Sequence, residues 1–223
     1  MRVLDARRLR AAAVADVVAT VVERGGTVVF PTDTVYGIGC DPMQPAAVER
    51  IFALKKRPRS KPLSLHFSSN AELLEYAPGQ TLVAAAAKAF LPGPLTLIVR
   101  RPAFVSADVT GGRPSLGLRV PRHALCLAIL ERCGPFAATS ANVSGSPAFT
   151  GAGRGDDQLP AVDLWVDDGP TPLQAESTII DVTGTIPRLV REGAISVTML
   201  EGVLGRIARP ELLATSPDDA GRS

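Results

Sequence analysis

Five cations stand within seven residues at Lys55-Lys56-Arg57-Pro58-Arg59-Ser60-Lys61, and three of the chain's four lysines are among them. A field concentrated in this way attracts phosphate groups or nucleic acid. Lysine meets a phosphate as a point charge and arginine meets it as a bidentate fork, so together they neutralise a polyphosphate well. Attack at the α-phosphate of ATP expels pyrophosphate, and fixed cations stabilise the charge that grows on the leaving oxygens. An exposed, solvated turn is the other reading of the same run.

Other polar segments break into apolar surroundings. Pro31-Thr32-Asp33-Thr34-Val35-Tyr36-Gly37 follows an apolar run and combines hydroxyls, a carboxylate and a phenol. Short polar side chains at a strand end can line a ligand cleft, or they can close a turn on themselves. Ala138-Thr139-Ser140-Ala141-Asn142 offers hydroxyls and an amide suited to ribose, phosphate or carboxylate oxygens; a helix cap would use the same residue types. Arg119 is a lone cation in Leu116-Gly117-Leu118-Arg119-Val120-Pro121. An arginine pointing inward from a strand needs a partner, either a substrate carboxylate or a structural one. His66 alternates with Leu65 and Phe67, and Arg191-Glu192-Gly193 offers a second guanidinium or a surface ion pair.

Several templates are absent. No Gly-x-x-x-x-Gly-Lys-[Ser/Thr] loop, Gly-x-Ser-x-Gly elbow or His-Glu-x-x-His occurs, and Gly151-x-Gly153-x-Gly155 lacks a strand-turn-helix frame. Three cysteines and two histidines, scattered, make neither a disulfide framework nor a zinc pattern. They suit a reducing compartment, with the cysteines packing as small hydrophobes. No apolar run reaches the ~18 residues of a membrane span, and no signal peptide precedes the first helix, so a cytoplasmic protein is expected. The net charge of +2 decides nothing by itself.

The elements that must position these groups follow from periodicity and punctuation. Apolar residues at 14, 17, 18, 21 and 22 predict a helix over 9–24, stopped by Gly25-Gly26. Further helices are expected over 45–55, 70–76 (opened by a Ser69/Glu72 capping box), 82–90, 123–132 and 197–207. Strands are expected over 27–30, 35–40, 62–67, 95–99, 116–120, 136–138, 161–166, 177–182 and 188–191. This interleaving predicts one α/β domain over 1–209. Its sheet is mixed, because several strands follow one another too closely for helical crossovers. Residues 145–155 read as a long loop and 210–223 as a loose tail.

In order, seven segments resemble the YrdC-like family over residues 26–196. They are Pro31–Gly37, Lys55-x-Arg57-Pro58 with Lys61-Pro62-Leu63, Pro92-Gly93-Pro94-Leu95-Thr96, Leu116–Pro121, Ser140-Ala141-Asn142-Val143-Ser144-Gly145, Glu176-Ser177-Thr178-Ile179-Ile180-Asp181, and Arg191-Glu192-Gly193-Ala194-Ile195. The resemblance implies a twisted mixed sheet, flanked by helices, around a large basic concave surface. It implies conversion of L-threonine, bicarbonate and ATP, with Mg2+, to threonylcarbamoyl-AMP and pyrophosphate, the first step of N6-threonylcarbamoyladenosine formation in tRNA.

On that resemblance Lys55 and Arg57 would be the catalytic cations. Arg57, Lys61, Ser115, Ser140, Asn142 and Arg191 would hold ATP, and Thr34, His66, Arg119, Thr139 and Ser177 would surround threonine. No protein ligand is assigned to the metal. Possible partners are tRNA and a downstream threonylcarbamoyl transferase complex; no membrane is expected. Longer members carry a further C-terminal domain, and the expectation here is the short, single-domain type. Two rivals stand beside this reading: a double-stranded RNA or tRNA-binding protein without catalysis, and a carbamoyl-adenylate-forming module.

Overall fold

The apolar run after Gly25-Gly26 becomes an inner strand of a mixed ten-stranded sheet in the computed structural model, which describes residues 2–151, 159 and 161–209. The strands are β1 (Arg2–Asp5), β2 (Val28–Phe30), β3 (Gly37–Cys40), β4 (Ser64–His66), β5 (Leu95–Arg100), β6 (Ser115–Arg119), β7 (Phe136–Ser140), β8 (Leu164–Asp167), β9 (Thr178–Asp181) and β10 (Arg188–Arg191). Their order is β1-β8-β2-β3-β7-β4-β6-β5-β9-β10. Four pairs are parallel (β1 with β8, β8 with β2, β4 with β6, β5 with β9) and the other five antiparallel, so the mixed sheet is as expected.

Seven helices accompany the sheet among the described residues: α1 (Ala11–Val22), α2 (Pro45–Leu54), α3 (Asn70–Glu75), α4 (Thr81–Phe90), α5 (Ala107–Thr110), α6 (Ala124–Cys133) and α7 (Val197–Leu204). Side chains alternate across a strand, and the two cores divide along that alternation. Val28, Phe30, Phe136, Ala138, Leu164 and Val166 pack under α1 and α6 in one core, while Val29, Ala137 and Trp165 belong to the other with α2, α3, α4 and α7. On the β4-β6-β5-β9 half, Leu65, Leu116, Leu118, Leu95, Leu97 and Ile180 all face this second core. Their neighbours Ser64, His66, Arg119, Thr96 and Ile179 therefore face the other way, beyond the part of the sheet that α1 and α6 cover. All five border one cavity, and this half-face is the floor of the site.

Local chemistry sets the boundaries. Gly25, at φ +77°, ends α1 with a Schellman pair, Gly26 N–H to Val21 O and Gly25 N–H to Val22 O, both at 2.9 Å. Ser69 Oγ accepts from Glu72 N–H at 3.2 Å, but the returning Glu72 carboxylate binds Ser68, one residue before the cap. At Gly117 a Cβ would lie 2.3 Å from Ser64 Oγ, so only glycine lets β4 keep that hydroxyl on the floor. Two elements escape the sequence reading, β1 and α5. The first is a mostly exposed strand whose only pairing among the described residues is with β8; the second is a single turn. β6 begins and ends one residue earlier than expected, β7 runs on to Ser140, and α7 ends at Leu204 before Gly205, at φ +74°. The expected tail over 210–223 and part of the expected 145–155 loop lie outside the described residues. No helix among the described residues is long and apolar enough to cross a membrane.

Candidate active site

Above this half-face is a cavity of about 380 Å³, within the size range of small-molecule sites. Its floor comes from the strand alternation. Parallel register sets Ser64 beside Gly117 and His66 beside Arg119, and β5 lies parallel to β9 with Thr96 beside Ile179. Ser177, just before β9, shares a hydrogen bond of 3.0 Å with Thr96 through their hydroxyls.

Arg119 is held from behind. Its Nη2 donates to Asp33 Oδ1 at 2.6 Å and its Nε to Gly93 O at 3.3 Å, leaving Nη1 without an acceptor among the described residues. Both members of the ion pair are buried, and Asp33 Oδ2 has no partner among the described residues. Burial pulls the Arg119 guanidinium down and Asp33 opposes that shift; arginine starts so high that it stays charged. His66 is buried too, its Nδ1 unpartnered, and burial with the nearby Arg119 charge holds its pKa down at about 3. It is therefore a neutral imidazole at physiological pH, able to donate or accept a hydrogen bond but carrying no charge. Thr34, in the 31–37 loop, borders the same cavity. Thr32 Oγ1 donates to Val35 O at 2.7 Å and shares a hydrogen bond of 3.0 Å with Thr34 Oγ1, while Thr171 Oγ1 and Leu173 N–H tie the loop down through Thr34 O and Asp33 O.

The basic run divides. Lys55, Arg57 and Lys61 border the cavity; Arg59 instead lies over the Phe52 ring and pairs with Glu49, and Lys56 is not among the lining residues. Lys55 is almost fully buried, and its ammonium donates to Ser140 O, Asn142 O and, at 3.0 Å, Asn142 Oδ1. Ser140 Oγ donates to the same Asn142 Oδ1 at 2.6 Å, and Asn142 Nδ2 donates to Ser146 O at 2.6 Å. Lys55 thus ties the end of β7 to the end of α2. Burial first, and Arg57 second, lower its pKa to about 7. Thr139 lines the same wall.

Arg57 is fixed by Nε to Lys61 O (2.8 Å) and Nη2 to Pro62 O (3.0 Å). Arg191 donates Nε and Nη2 to Ser177 O (3.1 and 2.9 Å), and its Nη1 lies 2.8 Å from Glu176 Oε2. Burial first, and the Arg191 charge second, lower the Arg57 pKa, and both guanidiniums border the one cavity. Two pre-fixed forks facing one space form an anion site.

Eleven of the twelve residues expected from the sequence border this one cavity. Ser115 does not; it opens β6 opposite Arg100. Sequence reasoning passed over Asp33, Thr96 and Glu176. The signal for Asp33 was a carboxylate in the 31–37 segment, but its partner lies 86 positions away.

The profile of the Sua5–YciO–YrdC family, described as "Telomere recombination", matches residues 20–193. The chain belongs to this family. It is 37% identical over 210 residues to a threonylcarbamoyl-AMP synthase of Pyrococcus abyssi, covering 92% of this chain and 61% of that one. It is 37% identical over 193 residues to a threonylcarbamoyl-AMP synthase of Bacillus subtilis, covering 85% and 56%. The chain thus spans about three fifths of these relatives' length. Among solved structures of the family, P. abyssi Sua5 complexed with L-threonine superposes with a TM-score of 0.89 at 34% identity, over 94% of this chain and 63% of that one.

Proposed function

We propose that this chain condenses L-threonine, bicarbonate and ATP into threonylcarbamoyl-AMP and pyrophosphate. The observation that carries the reading is that one cavity is lined by two kinds of group. The lining includes Arg57, Lys61 and Arg191 with the Lys55-braced turn of Ser140 and Asn142, and also Arg119, His66 and the hydroxyls of Thr34, Thr139 and Ser177. The first suits a polyphosphate and the second a small amino acid with a carboxylate and a hydroxyl. The relatives named as threonylcarbamoyl-AMP synthases, and the related structure complexed with L-threonine, support the same reading.

On this proposal Arg119 Nη1 receives the threonine carboxylate, with Asp33 fixing the direction of the guanidinium. Neutral His66 and the hydroxyls of Thr34 and Ser177 hydrogen-bond the substrate without competing for its charge. The threonine amine and bicarbonate give a carbamate with loss of water. A carbamate oxygen then bonds to the α-phosphorus as the bond to pyrophosphate breaks. Arg57, Lys61 and Arg191 meet the charge that passes to the leaving oxygens, and holding two substrates side by side supplies the remainder through proximity. Lys55, its donors engaged by the protein, acts through the turn it braces.

Among the described residues no group of three or more His, Cys, Asp or Glu side chains could cage a metal, and Glu176 is the one carboxylate bordering the cavity. This donor set fits Mg2+, which binds through one or two carboxylates plus phosphates and keeps several waters. Magnesium would share the polyphosphate charge. The product is a mixed anhydride prone to hydrolysis, which suits transfer to a tRNA-modifying transferase.

The test is pyrophosphate release with each substrate omitted in turn. The proposal expects release only with threonine, bicarbonate, ATP and Mg2+ together. Release that ignores threonine, from folded protein, refutes it.

A further inference from the structure

Glu176 occupies the edge of Arg191 that a phosphate would need. Nε and Nη2 of Arg191 are engaged by Ser177 O, so Nη1 is the edge turned to another partner, and Glu176 Oε2 holds it at 2.8 Å. The arrangement is built into the backbone. Glu176 precedes β9 and Arg191 ends β10, beside a break in the antiparallel register between Leu189 and Arg191. Ala194 N–H donates to Glu176 O at 3.1 Å, and a Cβ at Gly193 would come within 2.3 Å of that oxygen. Only glycine at 193 lets the chain pass this close. The two side chains remain part exposed, 36% for Arg191 and 43% for Glu176, so both can change partners without unpacking the core.

A phosphate reaching Arg191 Nη1 competes directly with Glu176. Once displaced, the carboxylate stands among phosphate oxygens of its own sign, an arrangement that is repulsive unless a cation bridges them. Glu176 is also, among the described residues, the one acidic side chain that borders the cavity. We propose, on the reading that this cavity takes ATP, that Glu176 exchanges partners when nucleotide binds. It leaves Arg191 to the phosphates and becomes the protein donor for the divalent cation that accompanies them. Glu176 thereby makes nucleotide binding conditional on the metal: it opposes the bare nucleotide and favours the magnesium complex.

Calorimetric ATP affinity, measured for the wild type and Glu176→Gln in EDTA and in saturating Mg2+, tests this. In EDTA the variant should bind ATP about tenfold more tightly than the wild type, an effect of ~1.4 kcal/mol. In Mg2+ the advantage should vanish or reverse, so the enhancement by Mg2+ is at least about tenfold smaller in the variant. An equal Mg2+ enhancement in both proteins overturns the proposal, whatever the absolute affinities. Failure of folded wild type to bind ATP in either condition refutes the nucleotide reading itself. If Glu176→Gln does not fold, Glu176→Ala on this part-exposed side chain gives the same comparison.

Discussion

Replacing Arg119 by Met tests the buried pair on which the amino-acid half of the site is built. The two charged side chains are each 5% exposed and meet at 2.6 Å. Without the guanidinium, both oxygens of Asp33 lack a charged partner, since Oδ2 has none already. Breaking a buried ion pair by removing one member costs about 3–5 kcal/mol, because the survivor stays buried and uncompensated. For a domain of this size each kcal/mol lowers Tm by roughly 2–4 °C, so Arg119→Met should melt about 6–20 °C lower. Asp33→Asn should fall in the same range, leaving the cation unmatched. The double variant removes both charges and should be at least ~2 kcal/mol more stable than the sum of the singles predicts. Denaturant unfolding of the four proteins measures this coupling, and threonine titration at low temperature should show weakened threonine binding with ATP binding retained. Additive energies, or a cost below ~1 kcal/mol for either single, would refute a buried and mutually dependent pair.

Lys55, with a pKa near 7 against 10.5 for the free side chain, loses its proton in the folded protein where the unfolded chain keeps it. Its contribution to stability therefore rises from pH 7 to about 10.5. ATP affinity should fall through pH 7 as the cavity loses a cation; calorimetry across pH checks this, and Lys55→Met should lack the inflection. His66, neutral down to about pH 3, gives stability that is complete above 6.5 and is lost as pH falls from there toward 3. Unfolding free energy should drop by about 1.4 kcal/mol per pH unit more steeply in wild type than in His66→Gln over that interval; equal slopes would mean that His66 is not buried neutral. Arg57→Ala removes a pre-fixed fork and should lower kcat about 10²–10³-fold, measured as pyrophosphate release.

The strand pattern was readable because each strand on the floor carries its own alternation. Leu116, Leu118 and their neighbours mark the core face, and Arg119 in their midst already announced a polar face needing a partner. What that partner is could not be read locally. Asp33 is 86 positions from Arg119, and the acceptors of Lys55 are 85 and 87 positions away, brought together only by the order in which β3, β7, β4 and β6 pair. β1 escaped notice for the same reason: four largely exposed residues have no apolar period, and their pairing with β8 crosses most of the chain. The basic run misled in part. Composition placed five cations together, whereas backbone geometry turns Arg59 outward onto Phe52 and Glu49. Ser115 shows the converse, a hydroxyl at a plausible position that opens its strand outside the cavity lining.

Mass analysis of the small-molecule product formed with 13C-bicarbonate decides whether one cavity joins the two substrates. The account predicts a threonine- and AMP-containing species one mass unit heavier than with unlabelled bicarbonate, accumulating with pyrophosphate. A nucleotide product without the label, or AMP linked directly to threonine, would contradict it.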